Sequence, residues 1–301
     1  LVYSLPAFRI RCPSDSSVKH IHTTFQTTWQ RGYTALDVEG SWTAGKQGVV
    51  AVNQISGSSQ FDVLNGLQDI KKVAQEPVAV LWSQTGANTT ASNNTAVGHS
   101  ALTTNTTGNR NTASGFESLK LNTTGLSNVS IGAYSSNNNT TASYNVAVGD
   151  AAFFINTTGA NSVAVGYEAL KANTTASNNT AVGTSALAVN TTGATNTALG
   201  GSAMLSNTTG GTNVAVGQSA LSANTTASNN VAVGYNSMGA NTTGHGNTAV
   251  GRLSLDANTT GLANTAIGNS ALGANTTASS NTAVGSSSLS SNTTGVQNTA
   301  L

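Results

Sequence analysis

Charge is scarce in this chain: Asp, Glu, Lys and Arg make up 7% of its 301 residues, and the formal net charge is +1. No basic cluster is present, which excludes the electrostatic footprint of a nucleic-acid groove or an anionic membrane surface. The single cysteine, Cys12, rules out an intramolecular disulfide framework. It is expected as a buried or partly buried thiol, with an intermolecular disulfide as the minority alternative. No apolar run approaches the ~20 residues of a membrane helix; the longest, 77–82, has strand length. The chain opens at Leu1 without Met or a signal-peptide pattern, as expected of a processed or partial product.

What charge there is lies unevenly. Seven of the eleven Lys and Arg and six of the ten Asp and Glu precede Asn94, together with all three Trp and all three Pro. From Asn94 to Gln297 the chain is twelve consecutive copies of a 17-residue unit with no insertion or deletion. The unit reads Asn-Thr-Ala-Val-Gly, then x-x-Ala-Leu-x-x, then Asn-Thr-Thr-Gly-x-x. A thirteenth start at Asn298 and an earlier Asn-Thr-Thr at Asn88 extend the pattern at both ends, so the array is expected to continue beyond Leu301. A strict short period marks a solenoid, in which each coil buries its apolar side chains only by stacking on its neighbours. Such a polar composition would otherwise indicate disorder, but the regular apolar columns oppose that.

Within one unit, positions two and four share a face of an extended strand and position three points the other way. Position four is Val, Ile or Leu in eleven copies, with Ser114 the exception, and is expected to face inward. Gly at position five lets the backbone turn or approach closely. Position nine forms a second apolar column from Leu102 to Leu289, broken by Ser136, and is expected on a second short strand ending in an Asn-Thr-Thr corner. Stacked asparagines there would form an amide ladder. At ~4.8 Å per coil, twelve coils make a rod on the order of 55–60 Å long. So thin a core suggests further apolar surface buried between chains.

The segments Asn145-Val146-Ala147-Val148-Gly149, Ser162-Val163-Ala164-Val165-Gly166 and Asn264-Thr265-Ala266-Ile267-Gly268 resemble the head repeat of YadA-like trimeric autotransporter adhesins. Similar repeats occur in phage tail fibres. The resemblance covers about two thirds of the chain and implies a left-handed parallel β-roll, a homotrimer joined through one face, and attachment to host matrix or a host surface glycan. The family's usual unit is about fourteen residues; here Asn-Thr-Thr lengthens one corner.

Residues 1–85 show no repeat and read as an N-terminal capping or assembly module, β-rich or α+β, with 86–301 as the solenoid. Strands are expected at 33–42, 48–55 and 78–82, and a helix over 59–75, where Val63, Leu64, Leu67, Ile70 and Ala74 recur at helical spacing. Ser59 or Asp62 would cap that helix. Such a module would cover the open edge of the first coil. The stretch Leu1–Arg11 reads either as an ordinary first strand or terminus, or as an arm that pairs with a neighbouring sheet edge and builds a filament.

Catalytic and metal chemistry find little support. His20 and His22 could share a strand face, yet no Cys, Asp or Glu completes a ligand set; His99 and His245 occupy unrelated unit positions. No Gly-x-Ser-x-Gly elbow occurs. Asp37 and Glu39 are conceivable paired acids for sugar hydrolysis but read better as solvated strand residues. The repeats hold only Asp150 and Asp256, which removes a calcium-binding solenoid. Adjacent Thr-Thr sends hydroxyls to opposite sides, unlike the Thr-x-Thr of an ice-binding face.

Asn-Thr-Thr is also an N-glycosylation sequon. It occurs at Asn88, Asn105, Asn122, Asn139, Asn156, Asn173, Asn190, Asn207, Asn224, Asn241, Asn258, Asn275 and Asn292, with extra sequons at Asn93, Asn128, Asn138 and Asn178. Two readings compete: an asparagine stacked inside the corner is inaccessible, whereas one pointing outward would carry a glycan on every coil. Taken together, the sequence leads to a non-enzymatic extracellular or cell-surface fibre or adhesin subunit without cofactor, metal or nucleic-acid partner. It would self-associate as a homotrimer or filament. The alternatives are a receptor-binding phage tail fibre and, more distantly, a polysaccharide-processing enzyme.

Overall fold

In the computed structural model, residues 90–301 are described; they fall within one compact unit, Leu81–Leu301. The expected strands, helix, arm and cap of residues 1–85, with Cys12, His20, His22, Asp37 and Glu39, lie outside the described residues.

The described chain is an all-β parallel solenoid. Thirteen strands, from β1 (Thr95–Val97) to β13 (Thr299–Ala300), form one sheet in sequence order. Each strand pairs with the next in parallel, in a register of one full unit: Thr95 opposite Thr112, Ala96 opposite Ala113, Val97 opposite Ser114. The same offset runs to the last pair, Thr282 with Thr299. The ladder bonds are short, with Thr95 N donating to Asn111 O at 2.8 Å and Gly115 N to Val97 O at 2.8 Å.

Two expectations are overturned. The inward residue of the strand is alanine at position three, not the valine at position four: Ala113, Ala147 and their equivalents through Ala283 are fully buried. Val97, Val148 and Val165 are half-buried, and Ile131, Val182 and Leu199 are exposed. The coil is too thin for two large side chains to meet across it. One leucine-sized residue from position nine fills the interior, leaving room for only a methyl group on the strand wall. The alternation was therefore right and its polarity inverted.

The second strand is also absent. Positions six to eleven form a run of turns in which positions seven and nine both take positive φ, for example Glu168 at 56° and Leu170 at 51°. Such values are unusual for bulky residues. They persist here because the position-nine side chain is the core anchor: Leu102, Leu119, Phe153, Leu170, Leu187, Met204 and Leu221 are at most 1% exposed. Burial worth about 1.5–3 kcal/mol per side chain offsets a left-handed conformation costing about 1–3 kcal/mol.

Glycine at position five answers a closer constraint. At Gly217 φ is 131°, and an added Cβ would lie 2.5 Å from the carbonyl oxygen of Gly234 in the next coil. Both the dihedral and the coil-to-coil approach exclude a side chain.

One coil departs from the others. The third, beginning at Asn128, carries Ser130 in the alanine column and Ser136 in the leucine column, and also buries Ser135 and Asn137. Backbone carbonyls satisfy the hydroxyls there: Ser118 Oγ donates to Ser130 O at 2.9 Å, Ser130 Oγ to Ser135 O at 2.8 Å, and Ser135 Oγ to Ala147 O at 3.1 Å. The apolar core is consequently split into a small cluster before it, from Ala96 to Leu119, and a long one beginning at Ala147.

Candidate functional site

The sequon asparagines at position twelve occupy the interior corner of each coil. From Asn105 to Asn275 all eleven are at most 1% exposed. Asn122 Nδ2 donates to Asn105 Oδ1 at 2.8 Å and also to Gly125 O at 3.0 Å, three residues on. This pair of bonds recurs up the rod, as at Asn190, Asn207 and Asn224. Both amide hydrogens are therefore committed, and a glycan on Nδ2 would have to displace them and the neighbouring coil. The ladder loses its step at the last full coil, where Asn275 Oδ1 is buried without a partner and the Asn292 side chain turns to its own corner, donating to Gly295 O and accepting from Gly295 N. Asn88 lies outside the described residues. Of the extra sequons, Asn93 and Asn178 are exposed, Asn138 is half-buried and Asn128 is buried.

A second asparagine ladder runs through position one. Asn111 donates through Nδ2 to Gly125 O at 2.8 Å, and its backbone N–H donates to Asn94 Oδ1 at 2.8 Å. Where Ser162 replaces asparagine, its hydroxyl accepts the Asn179 N–H at 3.2 Å. Asn275 Oδ1 apart, the two ladders leave the polar corner of the coil satisfied within the protein, as buried amides require.

Of the paired threonines, the first is tied down, with Thr123 Oγ1 donating to Thr140 O at 3.0 Å. The second, as at Thr124, Thr158 and Thr209, is exposed.

Two surfaces face outward with distinct chemistry. The first is the outer side of the sheet, where positions two and four make parallel columns of Thr or Val and of Val, Ile or Leu. Ile131, Val182, Leu199, Ile267 and Val284 there are 36–42% exposed.

The second is the corner just past the glycine, positions six and seven, where the consensus prescribes no residue. Phe116, Tyr134, Tyr167 and Tyr235 all sit on it and are 40–53% exposed. His99 stacks on Phe116 at 5.3 Å, Phe116 meets Tyr134 edge-on at 5.2 Å, and Tyr134 meets Phe154 at 6.2 Å. Arg252 lies over the Tyr235 ring at 5.9 Å. Lysines from position ten reach back to it: Lys120 Nζ bonds Glu117 Oε1 at 2.8 Å and Lys171 Nζ bonds Glu168 Oε1 at 2.6 Å.

Those bonds set the corner's protonation. The Lys120 hydrogen bond holds the Glu117 carboxyl below its usual range, and that from Lys171 does the same for Glu168. The Glu168 bond in turn raises the Lys171 ammonium and, through a hydrogen bond to its hydroxyl, Tyr167. Asp256 differs, because burial pushes its carboxyl up.

Among the described residues no group of His, Cys, Asp and Glu is placed to hold a metal ion, and no helix is long and apolar enough to cross a membrane. His99 and His245 stand at unit positions six and sixteen, on different parts of the coil, and both are exposed. Sequence reasoning missed the aromatic corner, although its signal was available: departures from small polar residues at positions six and seven are mostly aromatic or charged. Compared with protein-family models, curated proteins and solved structures, the chain matches none.

Proposed function

We propose that this chain is a non-enzymatic structural fibre or adhesin subunit, displayed outside the cell or at its surface, whose solenoid self-associates through the outer side of the sheet. The carrying observation is the pair of columns, β-branched except at Ser114 and Leu199, that runs in one register over every coil and stays half-exposed. A three-residue strand is roughly 10 Å wide and thirteen strands stack to roughly 58 Å, giving about 600 Å² per copy. One pair of copies would bury about 1,200 Å² in total, the low end for a specific interface. In the homotrimer that the adhesin-head resemblance implies, each chain would divide this face between two neighbours about a three-fold axis. A rigid rod in several copies turns weak contacts with a host surface into avid attachment through effective concentration.

Sedimentation equilibrium of the full chain tests this reading. Wild type is expected to sediment as an oligomer, and Val165→Lys with Val216→Lys, which places charges in the column without touching the coil interior, as a monomer with an unchanged circular dichroism spectrum. A wild-type chain that is monomeric at every concentration would overturn it.

A further inference from the structure

We propose that the corner formed by unit positions six and seven is a binding strip for a neutral, extended glycan. This deepens the attachment reading by naming the ligand's chemistry. Apart from Tyr144, the exposed rings of the rod, those of Phe116, Tyr134, Tyr167 and Tyr235, share one corner distinct from the aliphatic columns of the sheet. From the coil of Phe116 to that of Tyr235 is seven rises, on the order of 34 Å along the axis, the reach of an oligosaccharide rather than of a monosaccharide.

The rings alternate along the strip with hydrogen-bonding groups. Glu117 receives Lys120 on Oε1 and Asn137 at 3.3 Å on Oε2, which leaves further lone pairs on each carboxylate oxygen for hydroxyl donors. Intervening coils place Thr184, Ser185, Ser202 and Gln218 on the same corner. Sugars present the matching pattern: C–H faces that lie against aromatic rings, and hydroxyls that both donate and accept. A protein partner anchored by apolar side chains would want contiguous, fully desolvated pockets, and polar positions interrupt the strip between Tyr167 and Tyr235.

Charge selects the class of glycan. Over positions six, seven and ten, the carboxylates of Glu117, Asp150, Glu168 and Asp256 stand against the cations of Lys120, Lys171 and Arg252. There is no positive excess, and two of the cations are already paired with carboxylates within the strip. A polyanion such as a sulfated or uronic-acid polymer would find no net positive field to bind.

Affinity electrophoresis of the full chain through gels containing galactomannan, xyloglucan or hydroxyethylcellulose, with heparin as the polyanion, tests the proposal. Retardation by at least one neutral polymer and none by heparin is expected. Phe116→Ala with Tyr134→Ala, and separately Tyr167→Ala with Tyr235→Ala, should each weaken it about tenfold, while Thr209→Ala on the threonine corner should not. All these side chains are exposed, and circular dichroism checks that each variant keeps the wild-type fold. Absence of retardation by every neutral polymer, equal retardation of both double variants and wild type, or retardation by heparin would each overturn the proposal. None of those results bears on self-association, which sedimentation reads separately.

Discussion

Replacing Asn207 by alanine removes one rung from the middle of the inner ladder, and the structure fixes what is lost. Asn207 Nδ2 donates to Asn190 Oδ1 at 2.8 Å and to Gly210 O at 2.9 Å, and its Oδ1 accepts from Asn224 Nδ2 at 2.7 Å. Three bonds at about 1 kcal/mol each disappear. Gly210 O keeps the Asn196 amide at 2.8 Å, and Asn224 keeps Ala227 O at 3.1 Å, so neither is orphaned. Asn190 Oδ1 is left buried with no donor, which adds about 1–3 kcal/mol. The expected cost is therefore about 4–6 kcal/mol. In a solenoid that cost falls on the altered coil and its immediate neighbours. Hydrogen exchange followed by mass spectrometry should show amide protection in peptides covering residues 190–224 falling by roughly three orders of magnitude, with distant coils near β13 much less affected. Thr209→Ala, two residues away but exposed, serves as the control and should leave exchange unchanged. Protection within tenfold of wild type around Asn207 would refute the idea that the ladder, rather than the sheet alone, holds the coils together.

Gly217→Ala should cost about 3 kcal/mol or more, because the methyl group meets Gly234 O at 2.5 Å and φ is 131°; thermal unfolding of the two chains measures it. Ser136→Leu should stabilise by about 1–2 kcal/mol. It joins the two core clusters, and its φ of 46° lies close to the 51° at which Leu119 already holds a leucine; slower exchange in the third coil is the readout. Asp256→Asn should raise the melting temperature at pH 7 and leave it unchanged below about pH 3. Burial raises the folded carboxyl above its unfolded value. The penalty is therefore absent where both states are protonated and grows as pH rises through the folded value.

The period carried most of the fold. An unbroken 17-residue spacing admits little but coil-on-coil stacking, and the asparagine at position twelve could be read as a ladder because identical amides at one coil's separation bond one another. Which side of the strand faced inward was a different matter. Alternation says that Ala96 and Val97 point oppositely, but only the thickness of the coil decides that the methyl goes inside. Hydrophobicity alone favours the wrong answer. The turn around Leu102 was illegible for another reason. Positive φ is ordinarily signalled by Gly or Asn, whereas here a buried leucine takes 53° because its side chain is the anchor. The aromatic corner was hidden by the habit of reading a repeat through its consensus: Phe116, Tyr134, Tyr167 and Tyr235 stand where the consensus has no preference, and only the coil geometry shows that these positions share one corner.

The constant register from Thr95 to Ala300 means that, outside the serine-bearing third coil, the upper surface of one coil fits the lower surface of another. Whole units can in consequence be removed or duplicated without disturbing either end, whereas loss of sixteen or eighteen residues would throw every later alanine out of the interior. Reach is thereby an adjustable quantity, set in increments of roughly 4.8 Å by recombination between near-identical stretches of gene, and lineages carrying this rod should differ in span before they differ in cross-section.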